Sequence, residues 1–176
     1  MLLEGYIEEL TELHPNLFLT HIIACAVAIM RNYSPSPCEF EINPRDIVEL
    51  PTDQKHSLRI HWQAETEEMA LRILATHHGV HVVEFAAIGI GCLLLPKALE
   101  SIELQSAQIS NGTDYWYADG EYLVEVTGTQ TASALSSLHR RKVEQLIRNP
   151  HRKPGYVVVC SFDTREIVFS YHSPED

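Results

Sequence analysis

Two dipeptides in the second half of the chain, Asn111-Gly112 and Asp119-Gly120, each separate short runs in which apolar and polar residues alternate. Both favour the two-residue hairpin turn, whose central positions need the positive φ that Asn, Asp and Gly tolerate best. They predict three consecutive antiparallel strands over residues 102–110, 113–118 and 121–127. A two-residue loop also fixes the register. With Ala118 opposite Glu121, Asp114 falls opposite Glu125. Directly opposed side chains share one sheet face with Cβ atoms about 4.5–5.5 Å apart, and like charges there repel. Such a pair of carboxylates shares a proton or holds a cation.

The remaining elements follow from periodicity and punctuation. Apolar residues at 2, 3, 6, 7, 10 and 13 have helical spacing and predict a helix over 2–13. A second, largely apolar helix spans 17–33 and is ended by Ser34-Pro35-Ser36-Pro37. Residues 38–42 and 57–62 alternate like strands, flanking a loop with Pro44 and Pro51. Residues 65–78 form an amphipathic helix whose acidic start suits the helix dipole. A buried helix over 80–95 is expected to stop near Pro96. Thr129 or Thr131 can cap a helix that runs to Arg148 and ends at Asn149-Pro150. Final strands cover 155–161 and 166–171. The expected fold class is α/β. A helix-strand-strand-strand-helix-strand core lies in residues 65–176, an α/β extension in 1–64, and the whole makes one compact domain.

At 176 residues the chain is about one domain long and can bury a core without disulfides or metal. Its 13 basic and 24 acidic residues give a net charge of −11, which argues against coating nucleic acid with the whole surface. The acidity is uneven: residues 1–88 hold 5 basic and 13 acidic groups, a surface suited to a basic protein partner. The four cysteines form no CxxC, and Cys25, Cys92 and Cys160 sit in apolar runs as small core residues. The acidic MLLEGYIEEL start is unlike a signal peptide. The longest apolar stretch, 82–96, contains Glu84 and is short for a bilayer span. A cytoplasmic setting without membrane contact is the expectation, and a homo-oligomer is compatible with it.

Three further features bear on chemistry. Glu84 is the one polar side chain between residues 82 and 95, so it either meets a cation or donor or emerges into water near the helix start. In the helix after Thr131, Lys142 falls on the same face as Leu135, Leu138 and Leu146, where a lysine snorkels or reaches a buried acid. Around it, Arg140, Arg141, Lys142, Arg148, Arg152 and Lys153 stand against Glu144 alone, a local +5 that suits phosphate contact or a solvated helix end. His77, His78, His81 and Glu84 form a weaker, metal-type spacing interrupted by Gly79. Gly89-Ile-Gly91 lacks the context of a nucleotide loop, and no serine sits in a GxSxG elbow. Tyr115, Tyr117 and Tyr122 share the face opposite the acids and are expected to pack on a helix.

A helix bearing Glu84, strands bearing Asp114 and Glu125, then a helix and a strand resemble the core of the PD-(D/E)XK, restriction-endonuclease-like superfamily over about residues 80–162. The resemblance implies a nuclease in which Asp114 and Glu125 hold Mg²⁺, Glu84 contributes from the preceding helix, and a lysine helps activate water. The family lysine position is Thr127 here, and Thr113 stands where a proline is usual. Some members take the lysine from the following helix, which makes Lys142 the substitute, with Gln145 one turn on. The expected function is therefore Mg²⁺-dependent phosphodiester hydrolysis of DNA or RNA, with catalytic Asp114, Glu125, Lys142 and Glu84. Arg140, Arg141, Arg148, Arg152 and Lys153 would contact nucleic acid. The resemblance also implies a bacterial defence or mobile-element context. The alternative is a degenerate nuclease fold that serves as an immunity or accessory subunit binding a protein partner.

Overall fold

Alternating burial in the strands and two apolar helices organise the chain into three layers around one sheet. The computed structural model describes residues 1–76, 79–99, 104–106, 115–117 and 120–174. Its elements are β1 (Leu2–Tyr6), α1 (Leu10–Leu13), α2 (Thr20–Met30), β2 (Cys38–Arg45), β3 (His56–His61), α3 (Ala64–Thr76) and α4 (Gly79–Ala98). There follow β4 (Leu104–Ser106), β5 (Tyr115–Tyr117), β6 (Tyr122–Thr129), α5 (Leu135–Ile147), β7 (Gly155–Ser161) and β8 (Glu166–His172). Among the described residues the sheet has eight strands in the order β1-β3-β2-β8-β7-β6-β5-β4. The pairs β1/β3, β2/β8 and β6/β7 are parallel and the others antiparallel. The expected α/β class and the helix-strand-strand-strand-helix-strand order of the second half are therefore present. The strands of residues 1–64 continue the same sheet, through β2 against β8.

Side chains of β6 alternate between two cores. Val124 and Val126 enter the main core with α2 and α4. Leu123 enters a smaller core with Leu135 and Leu146 of α5 and Val157, Val159 and Val168 of β7 and β8. A parallel neighbour can be reached only by a crossover, and α5 is that crossover between β6 and β7. It covers β6, β7 and β8. The outer face of β1, β3 and β2 instead carries an exposed charged ladder. In it Arg59 lies 3.0 Å from Glu39 and 3.8 Å from Glu4, and His61 lies 2.7 Å from Glu4.

The pairing of Tyr115 with Val124, Trp116 with Leu123 and Tyr117 with Tyr122 is the register expected from the Asp119-Gly120 turn. Gly120 takes φ of 85°, a conformation open to glycine at little cost. Tyr115 and Tyr122 pack on the main core, as expected of the face opposite Glu125. Tyr122 also meets Tyr156 and Tyr171 at ring-centroid distances of 5.6 and 6.4 Å.

Three expectations are corrected. Residues 2–13 are not one helix: β1 comes first, parallel to β3, and a 3-10 turn over Ile7–Glu9 leads into α1. Leu3, Ile7 and Leu10 are inward in either arrangement, so apolar spacing alone does not distinguish them. Nor does Pro96 stop α4, which runs to Ala98. A proline inside a helix costs about 3 kcal/mol, partly through the carbonyl four residues back that loses its donor. Here that carbonyl is Cys92 O, which lies 2.8 Å from Nε2 of the buried His14. The backbone N–H of Leu104 donates to His14 Nδ1 at 2.9 Å, so in the neutral ring Nε2 carries the proton and donates to Cys92 O. Ile90, Leu93, Leu94 and Leu95 are fully buried in the same helix, at about 1.5–3 kcal/mol each, and outweigh the proline. Finally, neither threonine side chain caps α5. Thr131 precedes the 3-10 turn Ala132–Ala134, and Asp163 from the β7–β8 turn accepts the Ala132 N–H at 2.9 Å. That bond and one from Ser161 hold the Asp163 carboxyl below the usual range.

α4 is apolar and long enough to cross a membrane, but most of it is buried between α2 and the sheet. All four cysteines are buried and free, Cys25, Cys92 and Cys160 in the core as expected. Burial pushes the thiols of Cys25 and Cys38 up to about 11 and that of Cys92 up to about 12.

Close packing of α5 on β7 depends on a missing side chain. A Cβ on Gly155 would overlap the Leu123 carbonyl oxygen and lie 2.8 Å from Leu146 Cδ1, whereas Gly79 has nothing within 4 Å. Gly155→Ala should therefore lose about 1–3 kcal/mol in urea denaturation. Gly79→Ala, in the first turn of α4, should be neutral or gain up to about 1 kcal/mol.

Candidate functional site

The underside of α5 carries polar groups where an apolar stripe would suffice. His139, Lys142 and Leu146 are buried at spacings of three and four, so they share one helix face. Beneath them runs a row across the sheet: Glu125 pairs with Val157, Val157 with Ser170, and Ser170 with Arg45. α5 thus lays Lys142 over one end of the row and His139 over the middle.

Glu125 is fully buried at 0% exposure, next to Leu123 on a strand of otherwise apolar neighbours. Lys142 Nζ donates to Glu125 Oε2 at 2.7 Å, and Gln145 Nε2 donates to Oε1 at 3.0 Å. Lys142 is itself buried. Either charge alone would be costly here, and each offsets the other's desolvation. The lysine that the sequence places on an apolar face thus reaches the buried acid of the hairpin. Asp114, expected opposite Glu125, lies outside the described residues.

A second polar group sits one strand beyond. Ser170 Oγ lies 2.7 Å from His139 Nε2 and 2.9 Å from His172 Nε2. A hydroxyl has one hydrogen, so it donates to one ring and accepts from the other. Burial, with Arg45 and His172 nearby, pushes His139 down to about 4. Burial and Arg45 also lower His172, against the pull of Asp46. Sequence reasoning missed this trio. The available signal was His139 three residues before Lys142, with Ser170 and His172 alternating in β8.

The other expected site residues are spread more widely. Glu84 is exposed near the start of α4, the solvent side of the two alternatives, and lines a cavity of about 580 Å³. The cavity lies where Thr127, Gly128, Gln130 and Thr131 end β6, and Leu138 and Arg141 of α5 form its opposite wall. Thr127 follows Glu125 by two residues on β6, while Glu125 and Lys142 are not among the residues lining the cavity. Arg140, Arg148 and Arg152 are exposed. Lys153 is used internally: its Nζ donates to Gly120 O at 2.5 Å and lies 3.8 Å from Glu121, holding the hairpin turn. Of the histidine cluster, His81 is exposed, while His77 and His78 lie outside the described residues.

Among the described residues no group of three or more His, Cys, Asp or Glu is placed to hold a metal ion. The donor type at Glu125 is a carboxylate oxygen, which suits a hard cation. Comparison with protein-family models, curated proteins and solved structures finds no match to this chain.

Two outcomes follow from this geometry. Lys142→Met leaves Glu125 buried without its cation and should cost about 3–5 kcal/mol by urea denaturation. Adding Glu125→Leu should restore most of that loss. Separately, His139 binds its proton more weakly folded than unfolded, so the unfolded chain holds more protons between about pH 6.5 and 4. Stability should fall as pH drops through that window, and His139→Leu should flatten the dependence in pH-resolved melting curves.

Proposed function

We propose that the protein is nuclease-like and hydrolyses phosphodiester bonds of DNA or RNA at a centre built on Glu125, Lys142, Asp114 and Glu84. The observation that carries this reading is the buried Glu125 carboxylate on β6, held by Lys142 and Gln145 from the next helix. The arrangement α4, β4, β5, β6, α5, β7, with β6 parallel to β7, supports the likeness to a restriction-endonuclease-like core. A divalent cation such as Mg²⁺ bound by Glu125 and Asp114 would polarise the scissile phosphate and lower the pKa of a bound water. Lys142 would set a positive charge beside Glu125 and stabilise negative charge developing on phosphate. Gln145 fixes the second oxygen and so the orientation of the carboxylate. Glu84 would contribute from α4, and the exposed arginines Arg140, Arg141, Arg148 and Arg152 would give a polyanion its approach path.

One observation favours a second reading. Glu125 and Lys142 neutralise one another, and Thr127 stands where the family lysine would be. A chain with this closed pair serves equally as a non-catalytic nuclease fold that binds a protein partner through its acidic N-terminal half.

Incubation with plasmid, single-stranded DNA and RNA in Mg²⁺ or Mn²⁺ decides between them. Cleavage that EDTA abolishes is expected, with Glu125→Gln slower by about 100-fold or more. Asp114→Asn should lose activity equally, and melting curves of both variants separate lost chemistry from lost fold. No cleavage by a protein that melts cooperatively would leave the interaction module.

A further inference from the structure

The cavity beside β6 has walls from two different layers of the fold, and their chemistry is not symmetrical. Val80, Val83 and Glu84 come from α4, on one side of the sheet. Leu138 and Arg141 come from α5, on the other. The floor is the end of β6, where the described part of β5 pairs only as far as Val124. Val80, Val83 and Leu138 give the cavity apolar surface, while Arg141, Gln130, Thr127 and Thr131 give it donors. Among the described residues neither Arg141 nor Glu84 has a hydrogen-bond or ion-pair partner, in contrast to Lys142, Gln145 and Lys153 nearby. An uncommitted guanidinium at the rim of a part-apolar cavity is the arrangement that takes an anionic group attached to an apolar body.

We propose that this cavity receives one nucleotide unit of a single-stranded nucleic acid, with its phosphate on Arg141 and its sugar and base against Val80, Val83 and Leu138. The choice of nucleic acid rests on the proposed function, and the choice of single strand rests on the shape. A volume of about 580 Å³ walled by residues of two helices has room for one extended unit and is too small to take in a double helix, so the walls favour the single strand. Arg140, the neighbouring cation, lines only the shallow outer depression of α5 with Ser137, Leu138, Arg141 and Glu144. It contributes general attraction for a polyanion, while Arg141 makes a located contact.

The test is fluorescence anisotropy of a labelled short oligothymidine in EDTA, so that no cleavage is needed. The single strand should bind more tightly than a duplex of the same length. Arg141→Ala should weaken binding about tenfold and reduce the salt slope by about one, with a smaller effect for Arg140→Ala. Val80 is 78% exposed in the first turn of α4, where an acidic residue is tolerated, so Val80→Glu should keep the fold and repel the phosphate. Equal losses for Arg140→Ala and Arg141→Ala, unchanged binding by Val80→Glu, or equal affinity for the duplex would each overturn the proposal. Metal-dependent cleavage alongside any of these results would leave the catalytic reading standing. Located binding without cleavage would sink the catalytic reading and keep the subsite.

Discussion

A buried carboxylate and a buried ammonium 2.7 Å apart set the terms for the α5 side of the fold. The core beneath α5 is small, with Leu123, Leu135, Leu146, Val157, Val159 and Val168 as its fully apolar members. Placing two charges there forgoes hydrophobic burial that leucine or methionine would give at the same positions. The pair is therefore poor evidence of selection for stability. It does specify position: Lys142 meets Glu125 only when α5 lies in one rotation and one axial register on the sheet. The second bond, from Gln145 one turn on, allows the same arrangement and no other.

Much of that geometry is legible in the sequence, because it depends on local rules. A two-residue turn at Asp119-Gly120 dictates which residue of β5 faces which residue of β6, and Tyr117 does face Tyr122. Helical periodicity puts Lys142 among leucines, and a lysine in that place needs an acid within reach. Both inferences use fewer than twenty residues of chain. What failed depends on distant ones. β1 is a strand because β3, more than fifty residues later, offers it a parallel partner. α4 passes Pro96 because His14, far upstream, supplies the donor that the proline lacks. The N–H of Ala132, in the 3-10 turn that leads into α5, is met by Asp163, beyond the helix.

The candidate site divides along the same line. Glu125, Lys142 and Gln145 are joined by one turn and one helix, and they come together. The position of Glu84 depends on how α4 crosses the sheet, which no local pattern encodes. It lies in a cavity wall shared with Arg141. Lys153 looked like one more cation of a basic patch. The fold uses it on the Gly120 carbonyl, so the hairpin turn that fixes the register of β6 is tied to the segment leading into β7. Counting charges along a chain cannot separate a cation engaged with its own backbone from one open to a ligand.

His139 extends the argument about register. Its bond to Ser170 pins α5 to β8, as Lys142 pins it to β6, and the two side chains are three residues apart. Sliding the helix by one residue would break both contacts and leave the buried Glu125 carboxylate without its cation. Apolar side chains tolerate such slips, since one leucine covers much the same surface as the next. Two polar contacts to two different strands do not. The Glu125 carboxylate is oriented by a helix docked through polar contacts to two strands, and this is the rigidity that a reacting group or a binding residue requires.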